Sequence, residues 1–329
     1  MNLQTNYMGM ELRSPLVVSA CSLSNDMDNI MLMEDKGAGA IVLFSLFEEQ
    51  IRRKQQAFFD LDKITTEGNA RAADFFSGFD DFHVSAEQYL ELIRAAKERV
   101  NIPIIASING ITDERWMDYA RQIEQAGADA LEVNVFFIPS NIDVEGRDIE
   151  SAYIDMIDRI KATVALPVAI KLNPYFSSMG NMAKQLQEAG ADALVLFNRF
   201  YQPDIDISKL QLKANLEYSH ANEIRLPLLW IATLYGKIEA SLAATTGVQG
   251  AREVIKYLLA GADVVMTASA LYKYGIPYLE QMRMELEEWM KELRFFSLTE
   301  FKGLLSQEHI TDSTAYQRAN YIRILEGVK

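Results

Sequence analysis

The chain has 329 residues, 49% of them hydrophobic and 10% aromatic, and its 46 acidic against 32 basic residues give a formal charge of −14. That composition supports a large buried core, and the acidic balance argues against a nucleic-acid partner and against an anionic membrane surface. One cysteine excludes an internal disulfide and a cysteine-rich metal site, and no apolar run approaches the ~18 residues of a membrane span, so a cytoplasmic protein is expected.

In chain order, the first apolar strand is "PLVVSA" (15–20), followed by "DKGAGAIVLF" (35–44), in which a helical pattern ends at a glycine and a second strand begins. The segment "SAEQYLELIRAAKERV" (85–100) sets Tyr89, Leu92, Ile93 and Ala96 on one helical face ahead of the strand "PIIAS" (103–107). The glycine junction then recurs as "QAGADALEVN" (125–134), "EAGADALVLF" (188–197) and "LAGADVVMTA" (259–268). Glycine suits the left-handed conformation just past a helix end. A second amphipathic helix, "SAYIDMIDRIKATV" (151–164), precedes "PVAIKL" (167–172), and "SLAAT" (241–245) is the seventh strand. Eight apolar strands, mostly followed by helices, predict an α/β fold, the (β/α)8 barrel. Extra length falls in 45–84, in 199–225 and in a helical C-terminal extension, 276–329, of one domain spanning 1–329. An open doubly wound sheet is disfavoured because "SACSLSND", not a G-x-G-x-x-G, follows the first strand.

In such barrels the site forms where the strands end. Lys171 lies within an apolar strand and either faces a ligand or pairs with Glu132 on the preceding strand. The small-residue turns "ATTGVQG" and "TASAL" after strands seven and eight suit a phosphate cradle or an ordinary turn equally well. Asn109, Asn134 and Asn198 follow three different strands, and an amide, both donor and acceptor, suits the edge of a heterocycle. Cys21 reads as a small packed residue before it reads as a nucleophile. The histidines His83, His220 and His309 fall in loops or at helix edges and take no role.

The ordered set "SPLVVSA", "GAGAIV", "IPIIASING", "GADALEVNV", "LPVAIKLNP", "GADALVLFNR", "TTGV" and "AGADVVMTASAL", spanning roughly residues 8 to 290, resembles the dihydroorotate dehydrogenase family. The resemblance implies a barrel holding FMN at the C-terminal ends of its strands. It implies oxidation of dihydroorotate to orotate, a step of pyrimidine biosynthesis, and a homodimer. Carried over by position, it assigns the cofactor Ser19, Ala20, Cys21, Ser45, Asn134, Lys171, Thr246, Gly247, Ala268 and Ser269. It assigns the substrate Asn109, Asn134 and Asn198. It also exposes departures. Phe137, after Phe136, stands where the family has its cysteine or serine base, Phe44 stands for the strand-two lysine, and the family's substrate loop is not recognisable in "NARAADFFSGFDDF". Phenylalanine has no proton to exchange, so a base must come from Cys21, Ser45 or Ser140. The alternatives are a flavin enzyme for a less polar ring stacked on Phe44, Phe136 and Phe137, a non-catalytic flavin- or metabolite-binding barrel, and a phosphosugar barrel without flavin.

Overall fold

The computed structural model describes residues 1–47, 85–110, 115–135, 138–199, 204–213 and 217–308, with a few more between 318 and 327. Most of the 45–84 insertion, Phe136, Phe137, His83 and His309 lie outside the described residues. Eight parallel strands close into a barrel: β3 (Leu16–Val18), β4 (Ala40–Phe47), β5 (Ile104–Asn109), β6 (Ala130–Asn134), β7 (Val168–Leu172), β8 (Ala193–Leu196), β11 (Ser241–Ala244) and β12 (Val264–Thr267). These are the eight segments the apolar runs and glycine junctions predict. Helices Met27–Asp35, Ala86–Arg99, Arg115–Ala126, Gly146–Lys161, Met179–Glu188, Arg225–Leu234 and Ala251–Ala260 connect successive strands, and Ser269–Tyr274 and Tyr278–Leu293 follow β12. The protein is a (β/α)8 barrel. No helix among the described residues is long and apolar enough to cross a membrane.

The recurring junction has a physical basis beyond its glycine, although Gly37, Gly127, Gly190 and Gly261 do all adopt φ near +100°. The aspartate two residues on is a staple. Asp129 accepts from the Ile104 amide at 2.7 Å and from Lys97 Nζ; Asp192 does the same with Val168 at 2.7 Å and Lys161. Asp263 repeats it with the Leu242 amide, at 2.7 Å, and Lys302. Each aspartate thus pins the start of one strand to the start of the strand before it. A carboxylate accepting a backbone amide and an ammonium together makes a strong, directional link.

Two apolar layers result. One lies between strands and helices; the other fills the barrel and includes Ala40, Ala130, Ala169, Ala193 and Ala243. Barrel interiors are usually packed with branched side chains. Here the alanines leave room for an N-terminal hairpin, β1 (Thr5–Tyr7) with β2 (Met10–Leu12), whose Tyr7, Met8 and Leu12 join the inner layer and are buried. A second hairpin, β9 (Asp204–Asp206) with β10 (Gln211–Lys213), lies within the insertion after β8.

One irregularity sets the site. In β4, Val42 pairs with Ile105 and Ser45 with Ser107, so three steps along β4 match two along β5. This one-residue bulge turns Leu43 and Phe44 outward in succession and returns Ser45 to the interior. Phe44 packs on Tyr89 of the flanking helix, ring centroids 5.0 Å apart.

Candidate functional site

A cavity of about 470 Å³ opens where the strands end, within the size range of small-molecule sites. It is lined by Ser19, Ala20, Asn109, Asn134, Lys171, Asn198, Thr246, Gly247, Ala268 and Ser269, ten positions the sequence singles out. Phe47, Phe197, Arg199, Ser219, Thr245, Val248, Met266 and Thr267 complete the wall.

Strand periodicity explains the convergence. On β6, Ala130, Glu132 and Asn134 point inward and Leu131 and Val133 outward; on β7, Ala169 and Lys171 point inward. Asn134 is in register with both Asn109 and Lys171. Asn198 Nδ2 donates to Asn134 Oδ1 at 2.6 Å, Asn134 Nδ2 donates to Ser45 Oγ at 3.5 Å, and the Ser45 and Ser107 hydroxyls are hydrogen-bonded to each other at 2.7 Å. These bonds fix the orientation of the amides, leaving Asn109 and the remaining lone pairs and protons of the belt for a ligand.

Lys171 satisfies both readings offered for it. Only 8% exposed, it lines the cavity floor, lies 3.4 Å from Ser19 Oγ and forms an ion pair with Glu132 at 3.8 Å. Burial raises the Glu132 carboxyl above its ordinary range, and the Lys171 ammonium opposes that rise.

At the other end, the turns after β11 and β12 meet. Thr246 takes φ +76°, a conformation unfavourable to a β-branched residue, and its hydroxyl donates to the Phe197 carbonyl at 2.9 Å. Gly247 follows at φ +75°, and a Cβ there would lie 2.9 Å from both the His220 carbonyl and the Ile224 amide. Its glycine is therefore demanded by the covering segment as well as by the turn. Ser219, buried, donates to Ser269 Oγ at 3.0 Å, while Lys273 Nζ donates to the Ser219 carbonyl and to Gln249 Oε1.

The structure places four of the expected residues outside the cavity wall. Cys21 does not line the cavity; the chain turns there into Ser22–Asn25, and burial pushes its thiol pKa up. Ser45 is not a wall residue and reaches the cavity through Asn134. Ser140 is exposed and does not line the cavity, its amide bonded to the Ile138 carbonyl at 2.8 Å. Phe44 faces the helix layer, because the bulge gives the inward position to Ser45. The sequence gives no role to Arg199, at the end of strand six, or to Ser219, within the stretch taken as an insertion. Arg199 pairs with Glu223 at 2.9 Å and donates to the Glu217 carbonyl. Phe47 was missed because β4 runs past its expected end.

A closed parallel barrel with a polar cavity at the carboxyl ends of its strands defines the (β/α)8 class, whose sites form at that face. The family model for dihydroorotate dehydrogenase matches residues 78–290, and the chain belongs to that family. The catalytic subunit of dihydroorotate dehydrogenase B (NAD(+)) from Thermoplasma volcanium is 26% identical over 311 residues, covering 92% of this chain and 98% of that protein. Its counterpart from Methanocaldococcus jannaschii is 24% identical over 304 residues, 88% of this chain and 94% of that protein. The NAD-dependent dihydropyrimidine dehydrogenase subunit PreA of Escherichia coli K12 is 23% identical over 325 residues, 92% of this chain and 76% of that protein.

Proposed function

We propose that this chain is an FMN-dependent oxidoreductase acting on the CH–CH bond of a dihydropyrimidine ring. The observation that carries the reading is the convergence of ten expected positions, from seven of the eight barrel strands, on one cavity. The donor set fits the cofactor: hydroxyl, amide and ammonium groups of Ser19, Asn134 and Lys171 suit the edge of the ring system, and the two turns with Thr246, Ser219 and Ser269 suit its phosphate. When bound, FMN supplies hydride transfer. The protein's part is to position. Asn109 and Asn198 hold the substrate ring by amide hydrogen bonds, and Phe47 and Phe197 screen it from water.

A second reading is that the ring is uncharged rather than a carboxylate. Phe44 stands where the resemblance leads one to expect the strand-two lysine, the bulge gives the inward place there to the uncharged Ser45, and a relative is named a dihydropyrimidine dehydrogenase subunit. Titration of the purified protein with FMN, followed by anaerobic addition of dihydroorotate and separately of dihydrouracil, tests both. Bleaching by either supports the oxidoreductase, and the better reductant identifies the ring. A protein that does not bind FMN rejects the proposal, and one that binds it without bleaching by either compound rejects the substrate class.

A further inference from the structure

We propose that Glu132, sealed inside the barrel, is a positioning residue that holds the Lys171 side chain directed at the cavity floor. Strand register places it there: Glu132 pairs with Ala169, one inward layer below the Asn134–Lys171 pair. The carboxylate is fully buried and, among the described residues, neither of its oxygens accepts a hydrogen bond. Its countercharge is Lys171 Nζ, at 3.8 Å an ion pair beyond hydrogen-bond reach. The Tyr7 hydroxyl, from the hairpin that closes the barrel, is likewise buried and unpartnered among the described residues.

Such an arrangement is a poor way to stabilise a barrel. A buried pair can often be exchanged for packed apolar groups at no loss, whereas removing one partner strands a charge. The adjacent inward positions, Ala130 and Ala169, show that this interior accepts apolar side chains. What the carboxylate does accomplish is local to Lys171. Glu132 and the Ser19 hydroxyl are the groups beside the Lys171 ammonium, so together they fix where a long side chain sits. The pair therefore directs the ammonium at the floor. The other ionisable groups reaching the pair are Tyr7 from the hairpin, Tyr89 from the helix Ala86–Arg99 and Cys21 after β3. Burial raises all three.

The inference rests on the flavin reading only for its first test. In that test the dissociation constant for FMN is measured by flavin fluorescence in wild type, Glu132→Gln, Lys171→Met and the double variant. Glu132→Gln should lose about tenfold in affinity, whereas the same change made on Lys171→Met should cost nothing further, because the ammonium it positions is gone. A Glu132→Gln affinity equal to wild type, or an equal loss in both backgrounds, overturns the proposal. The second test needs no flavin. In urea unfolding, the double variant should have a higher midpoint than Lys171→Met alone, since it no longer buries an unpaired carboxylate. An equal or lower midpoint overturns the proposal even if Glu132→Gln does not fold. Failure of wild type to bind FMN rejects the flavin reading and leaves the second test to decide on Glu132.

Discussion

The two ends of the barrel are built from the same strands and differ in nearly every other respect. At the lower end the inward residues are mostly alanine and valine, and the hairpin residues Tyr7, Met8 and Leu12 fill the space between them. One or two inward positions further along, the same strands present Ser19, Ser45, Asn109, Asn134 and Lys171. The difference shows how a period of two divides labour within one strand. The first inward residue decides whether the barrel closes, and the last decides what it can hold. The polar end tolerates burial because its side chains bond to one another, as the Asn198–Asn134–Ser45–Ser107 series does.

If the ends are independent, substitutions at each should move different measurements. Leu12→Ala, which opens a void in the plug, should cost about 2–5 kcal/mol in denaturant unfolding with FMN affinity unchanged under folding conditions. An accompanying loss of affinity would break the division. Asn134→Ala should do the reverse. It deprives Asn198 of its acceptor at 2.6 Å, and ligand affinity should fall by roughly tenfold, the scale of a lost buried hydrogen bond. Calorimetric titration would show it, and an unchanged affinity would remove Asn134 from the site.

Smaller effects sharpen the same contrast. Thr246→Gly relieves a φ of +76° but forfeits the bond to the Phe197 carbonyl, so a net gain of up to about 1 kcal/mol is expected in thermal unfolding. A loss of that size would mean the turn is held by the hydroxyl rather than strained. The smallest effect concerns Cys21. Its thiol pKa is raised in the folded protein from an ordinary 9.0, so the folded state binds the proton more tightly than the unfolded chain. Stability should accordingly fall as pH rises past about 9, and Cys21→Ala should flatten that decline in urea midpoints measured across the range.

Much of the architecture was legible because buried parallel strands are apolar runs and because glycine and aspartate mark the same joint four and three times over. Ten wall positions were legible because the ends of such strands converge and because the ordered motifs resemble those of a known family. What stayed hidden has physical causes. "TNYMGMEL" forms two strands of three residues each, too short to show a period, so the plug was missed. The run "AIVLFSLF" is apolar on both faces at its start and offers no alternation from which to read the bulge, so Phe44 was assigned the wrong side. Ser219 enters the wall from a segment distant in sequence from either turn it touches, a relation that only the folded chain reveals.

The extra residue in β4 also bears on how such a site could change over time. Without it, strict alternation after Val42 would point the Phe44 ring into the barrel and turn Ser45 away; with it, a hydroxyl faces inward and the aromatic goes to the helices. Inserting or deleting a single codon near this point would therefore exchange the chemistry of one wall without altering any other letter of the strand. In this fold, a specificity change can be made by counting as well as by spelling.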